Sequence, residues 1–136
     1  MKTDINTLAS LIASMVWCDG EYSELERACV ADIAEALGIN TEELSDKVKA
    51  AADELNDLDD DAVTAFMCKH AAKVAEEDLG VVFEAMMEIA LCDGVLTVDE
   101  VGNLMEAADA LNIERNDAIL LLCDMVKIEP DLELAF

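Results

Sequence analysis

The pattern D-G-x-[apolar]-[S/T]-x-x-E occurs twice in this chain. Asp19-Gly20-Glu21-Tyr22-Ser23-Glu24-Leu25-Glu26 is followed 74 residues later by Asp93-Gly94-Val95-Leu96-Thr97-Val98-Asp99-Glu100. Each copy follows a cysteine and leads into the same closing sequence, Ala36-Leu37-Gly38-Ile39 and Ala110-Leu111-Asn112-Ile113, and residues 17–39 and 91–113 share eight identities in 23 without a gap. A repeat at this spacing reads as an internal duplication. Asp-Gly is turn chemistry and S/T-x-x-E is a capping box, so both copies specify a helix stop, a short turn and a capped helix start.

The surrounding periodicity is helical. Ile5, Leu8, Leu11, Ile12, Met15 and Val16 recur at steps of three and four, which predicts an amphipathic helix ending near Cys18. A second helix opens at Ser23, carries Leu25, Val30, Ile33 and Leu37, and stops at Gly38, suited to a left-handed C-cap. Thr41 is expected to cap a third helix. The acidic run Asp57 to Asp61 introduces a fourth, with Val63, Phe66, Met67, His70 and Val74 on one side. Residues 79–92 and 98–111 repeat the first two helices, and a seventh spans about Glu114 to Lys127. No sustained two-residue alternation points to strands. The fold class is therefore all-α, a bundle of about seven helices built around two related hairpins. A single domain covers 1–136, with repeat units of about 5–55 and 79–127, and its length suits one buried core.

Charge narrows the function. Against 32 Asp and Glu stand eight Lys and Arg, a formal net charge of −24. Such a surface repels nucleic acid and anionic membranes, and it favours cations or a protein partner with a basic surface. The apolar stretch from Leu8 to Trp17 is too short to span a bilayer. Five cysteines without a C-x-x-C pair fit a reduced, cytoplasmic setting. Cys18 and Cys92 hold equivalent repeat positions and form a candidate redox pair. His70, the only histidine, lacks an E-x-x-H partner for a di-iron carboxylate site. No phosphate loop or nucleophile motif occurs, so an enzyme is not expected.

The repeated turns admit two readings. As capping boxes they need no ligand. As half-loops they resemble the second half of an EF-hand, where an Asp and a final Glu supply oxygen ligands. The first half is missing, since Met15, Trp17, Ile89 and Leu91 stand where its acidic ligands belong. Two half-loops together would bring Asp19, Glu26, Asp93 and Glu100 to one cation or a pair, and an all-carboxylate set favours Ca²⁺, Mg²⁺ or Mn²⁺. In the cation-free alternative the protein is an adaptor that recognises a basic surface by charge. The acidic tail from Glu129 to Phe136, with spaced apolar residues, is expected either to dock on the bundle or to bind a partner.

The doubled arrangement of apolar helix, Asp-Gly, five residues, Glu, then a helix closing on A-L-x-I resembles the tellurite-resistance TerB-like family over about residues 5–127. The same all-helical fold occurs in the N-terminal region of a membrane-anchored J-domain co-chaperone. The resemblance implies a non-enzymatic bacterial stress-response module that works beside membrane-bound partners. It places the family's acidic, metal-associated positions on Asp19, Glu26, Asp93 and Glu100. Cys18 and Cys92 depart from the Ala common before Asp-Gly in that family.

Overall fold

The protein, seen in a computed structural model, is described over residues 1–18, 22–129 and 131–135, with Cys18 described by its backbone alone. Among these residues run seven α-helices: α1 (Ile5–Cys18), α2 (Glu24–Leu37), α3 (Thr41–Leu55), α4 (Asp60–Ala71), α5 (Leu79–Leu91), α6 (Val98–Ala110) and α7 (Arg115–Lys127). A 3₁₀ turn, Glu76–Asp78, precedes α5. The all-α class expected from periodicity is observed.

The first helix departs from its expected amphipathic form. Every residue from Leu8 to Val16 is buried, Ser10 and Ser14 included. Their hydroxyls return to the helix itself, Ser10 Oγ donating to Asn6 O at 2.8 Å and Ser14 Oγ to Leu11 O. Ala9, Ala13 and these serines keep the sides of α1 slim, so neighbours surround it: α3 foremost, then α5, α4 and α6. A helix apolar on all sides belongs inside the core. The principal neighbour of α1 is therefore α3 rather than the α2 that follows it, and α2 rests on α3 and α5. Leu8, Leu11, Ile12, Met15, Leu44, Leu55, Phe83, Met86 and Met87 form the fully buried centre. Each such side chain contributes roughly 1.5–3 kcal/mol by its removal from water.

The helix ends follow their sequences closely. At the close of α2, Gly38 takes φ 69° and Ile39 N donates to Ala34 O at 2.8 Å. After α6, Asn112 takes φ 58° and Ile113 N donates to Ala108 O at 2.8 Å. Both are left-handed closures in which the backbone folds back on the last turn. Asn serves where Gly would, because it tolerates this region better than other side chains. Asn40, not Thr41, caps α3: its side chain accepts from Glu43 N at 2.9 Å, and Thr41 is already helical. Asp59 caps α4 by accepting from Ala62 N at 2.8 Å. Leu25, expected on the apolar stripe of α2, is instead 57% exposed.

Two short strands were not foreshadowed by any alternation. β1 (Val95–Thr97) pairs in parallel with β2 (Glu133–Ala135), matching Val95 to Glu133 and Thr97 to Ala135. Glu133 N also donates to Gly94 O at 2.8 Å, and Leu132 packs against the core. The acidic tail thus docks, and it does so on the second Asp-Gly turn.

Candidate functional site: two capped turns and an acidic groove

Both repeated motifs close complete capping boxes. At the first, Glu26 Oε1 accepts from Ser23 N at 2.8 Å and from Ser23 Oγ at 2.9 Å, while Ser23 Oγ accepts from Glu26 N at 3.2 Å. At the second, Glu100 Oε1 accepts from Thr97 N and from Thr97 Oγ1, each at 3.0 Å, and Thr97 Oγ1 accepts from Glu100 N at 3.2 Å. The two glutamates are 1% and 3% exposed. A cap at the helix surface leaves its glutamate wet; these lie within the fold, beside the positive ends of α2 and α6.

The aspartates differ from the glutamates. Asp93 is exposed, and its Oδ1 accepts from Val95 N at 3.0 Å, folding the turn around Gly94, whose φ of 80° favours glycine. Asp19 lies outside the described residues. Of the four carboxylates expected to share a cation, two are therefore caps and a third orders its own turn. Among the described residues no three Asp, Glu, Cys or His side chains converge as a metal-binding group. Trp17, two residues before Asp19, lines a cleft of about 860 Å³ together with Val98, Asp99 and Gly102 from the start of α6, and with Asp60 and Glu106. Trp17 and Tyr22 also line a smaller cleft; the Tyr22 ring lies 4.3 Å beneath the Arg27 guanidinium and its hydroxyl is 2.9 Å from Ser45 Oγ.

A second cleft, of about 620 Å³, runs between α2, α5 and the end of α7. Its walls include Leu25, Leu91, Met125 and Ile128, and Asp32, Glu88 and Glu129 share the same lining. Leu25 and Ile128 are 57% and 69% exposed. Partial burial, then the charges of Glu84 and Asp32, push the Glu88 carboxyl above its ordinary range. The one ion pair among the described residues, Lys2 with Glu77 at 3.3 Å, is elsewhere and well exposed.

Two thiols also meet in this groove. Cys29 of α2 and Cys92 at the end of α5 both line it as near neighbours. The neighbouring Cys92 side chain, then burial, raises the Cys29 thiol far above its usual range. Cys92, expected to pair with Cys18, has Cys29 as its neighbour; the side chain of Cys18 lies outside the described residues. No spacing rule predicts the observed pair, because Cys29 and Cys92 are not equivalent in the repeat. The His70 ring packs against Phe66 in a tilted arrangement, centroids 4.4 Å apart, and its buried Nδ1 has no hydrogen-bond partner among the described residues. Burial, then Lys73 and Lys69, lower its pKa. It is a packed boundary residue.

An all-helical bundle with capping boxes at the starts of α2 and α6 and a carboxylate-rich surface defines a class of small acidic helical modules. The family model described as tellurite resistance protein TerB matches residues 6–122, most of the chain, and the chain belongs to that family. Family membership makes it a tellurite-resistance-related module. No curated protein and no solved structure matches it. No described helix is long and apolar enough to cross a membrane.

Proposed function

We propose that this TerB protein is a non-enzymatic stress-response adaptor in the cytoplasm, and that it engages a basic protein partner through the groove between α2, α5 and α7. The observation that carries this reading is the groove's composition. Exposed Leu25 and Ile128 offer apolar contact, and Asp32, Glu88 and Glu129 surround it without a basic residue in the lining. An apolar strip with an acidic border complements an amphipathic helix bearing Lys or Arg beside its apolar face. Burial first, then repulsion from Glu84 and Asp32, lifts Glu88, and a basic partner would relieve the repulsive part. A fluorescent amphipathic Leu/Lys helical peptide, followed by anisotropy, tests it. Binding should weaken by tenfold or more when Asp32→Asn, Glu88→Gln and Glu129→Gln are combined. The matched change Glu42→Gln, Glu43→Gln and Asp46→Asn on α3 should have little effect. Equal losses from both triple variants would reduce the interaction to diffuse charge and refute the groove.

A second reading is supported by the burial of Glu26 and Glu100 and by the cleft that Trp17 shares with Asp99. Here Ca²⁺, Mg²⁺ or Mn²⁺ binds at the two turns through the carboxylates of Asp19, Glu26, Asp93 and Glu100, oxygen ligands of the kind these hard cations take. Titration of each ion at about physiological ionic strength, read by Trp17 fluorescence, checks it. Saturable binding that disappears when all four become amides would support the site. Binding equal in both proteins, or none, would leave the motifs as helix caps.

A further inference from the structure

We infer that Cys29 and Cys92 are the reactive thiol pair of this protein, oxidised by hydrogen peroxide to a reversible disulfide that staples α2 to the end of α5. Three observations place the reaction there. The thiols are near neighbours, both are free, and both are half-buried on the lining of an open groove that a peroxide molecule can enter. Their helices pack directly on each other. The other two described thiols, Cys68 and Cys123, are exposed on α4 and α7, with neither lining this groove.

The neighbouring Cys92, burial and the carboxylates of Glu88 and Asp32 hold the proton on Cys29, so we assign the first attack to Cys92 and the resolving step to Cys29. Cys92 sulfur attacks one peroxide oxygen, the O–O bond breaks, and the thiol proton leaves with the departing hydroxide as water. The product is a sulfenic acid on Cys92. Cys29 sulfur then attacks the Cys92 sulfur; the S–S bond forms, the S–O bond breaks, and the hydroxyl leaves with the Cys29 proton as a second water. Two thiols lose two electrons, and one peroxide becomes two waters.

The consequence is mechanical. Cys92 directly precedes Asp93 of the second turn, so the disulfide ties that turn to α2 across the groove floor. The inference rests on the thiol geometry and stands or falls apart from the partner and cation readings.

The sequence makes the test clean, because trypsin places every cysteine in a different peptide: Cys18 in 3–27, Cys29 in 28–47, Cys68 in 50–69, Cys92 in 74–115 and Cys123 in 116–127. Reduced protein is treated with peroxide, its remaining thiols are alkylated, and the non-reduced digest is analysed by mass spectrometry. The expected result is a dominant 28–47/74–115 linked species that dithiothreitol removes, preserved in Cys18→Ser and absent in Cys29→Ser. In Cys29→Ser, dimedone should instead capture a sulfenic acid on 74–115. Circular dichroism confirms that each variant is folded. A dominant link between 3–27 and 74–115, a mixture of intermolecular links, or over-oxidation without the link would overturn the assignment.

Discussion

Removing the hydroxyl of a capping box isolates the contribution of one turn, and the two boxes here predict the same loss. In Ser23→Ala, Glu26 N–H loses the acceptor at 3.2 Å and Glu26 Oε1 loses a donor at 2.9 Å, while the backbone donor from residue 23 remains. N-cap replacements by alanine cost about 0.5–2 kcal/mol. Glu26 is 1% exposed, so water cannot readily replace either partner, and the loss belongs in the upper half, about 1–2 kcal/mol. Thr97→Ala removes the same pair of interactions around Glu100, at 3.2 and 3.0 Å, and should match it. At about 2.1 cal/mol/K per residue of unfolding entropy, each kcal/mol lowers Tm by roughly 3–4 °C in a chain of this size. The double variant should therefore lose about 2–4 kcal/mol, the sum of the singles within about 0.5 kcal/mol. Urea unfolding followed by circular dichroism measures this without the ionic screening that guanidinium would add. Losses below about 0.3 kcal/mol for either single variant would show that the boxes do not hold these helix starts. Glu26→Gln makes the control: Gln also serves in a capping box, so stability should fall less than in Ser23→Ala.

Three further outcomes follow from other parts of the fold. Asp78 Oδ2 accepts from Lys2 N at 2.9 Å, Thr3 N at 2.8 Å and Thr3 Oγ1 at 2.7 Å, and the Thr3 hydroxyl foremost lowers its pKa. Its contribution is present above the unfolded carboxyl pKa and lost as pH falls through the lower folded value, so Asp78→Asn should lower Tm at neutral pH and flatten the acid limb of a Tm-against-pH curve. Glu88 behaves oppositely. Its raised pKa means that the charged form strains the fold above that value and that acidification relieves the strain, so Glu88→Gln should raise Tm at pH 7 and remove part of the gain seen on mild acidification. With a net charge of −24, raising the ionic strength from about 0.01 M to 0.15 M shortens the screening length from roughly 30 to 8 Å and should raise the Tm of the native protein; a Tm independent of salt would contradict the self-repulsion argument.

Much of this architecture is legible in the sequence because its signals are local. Ser23 with Glu26, Thr97 with Glu100, and Gly38 each act within one turn of chain, and each takes the expected role. Asn40 displaced Thr41 as a cap because the two are adjacent and both suited to the position, a choice decided by a single backbone torsion. The other departures are non-local. Leu25 has the spacing of a core residue, yet the groove it borders is made by α5 and α7, far away in sequence. The Asp78 clasp on Thr3 and the pairing of β1 with β2 join segments whose side chains give no alternating or complementary pattern. Cys92 lies near Cys29 because α2 rests on α5, a neighbour that repeat symmetry does not indicate, while the Cys18 side chain lies outside the described residues. The expectation for Glu26 and Glu100 was incomplete in another way: sequence spacing assigns the hydrogen bonds of a cap but says nothing of its depth.

The complete enclosure of α1 governs how this protein can move. Amides from Leu8 to Val16 are held by helical bonds inside a sheath made by α3, α4, α5 and α6, so no local opening exposes them without separating helices from both halves of the chain. Their exchange with solvent deuterium is therefore bound to the global unfolding event, while β2 and the exposed end of α7 can open and close many times in between. Breathing of the groove and its thiols takes place around a still axis, and a ligand that alters exchange at Leu11 or Ile12 must have changed the stability of the entire fold.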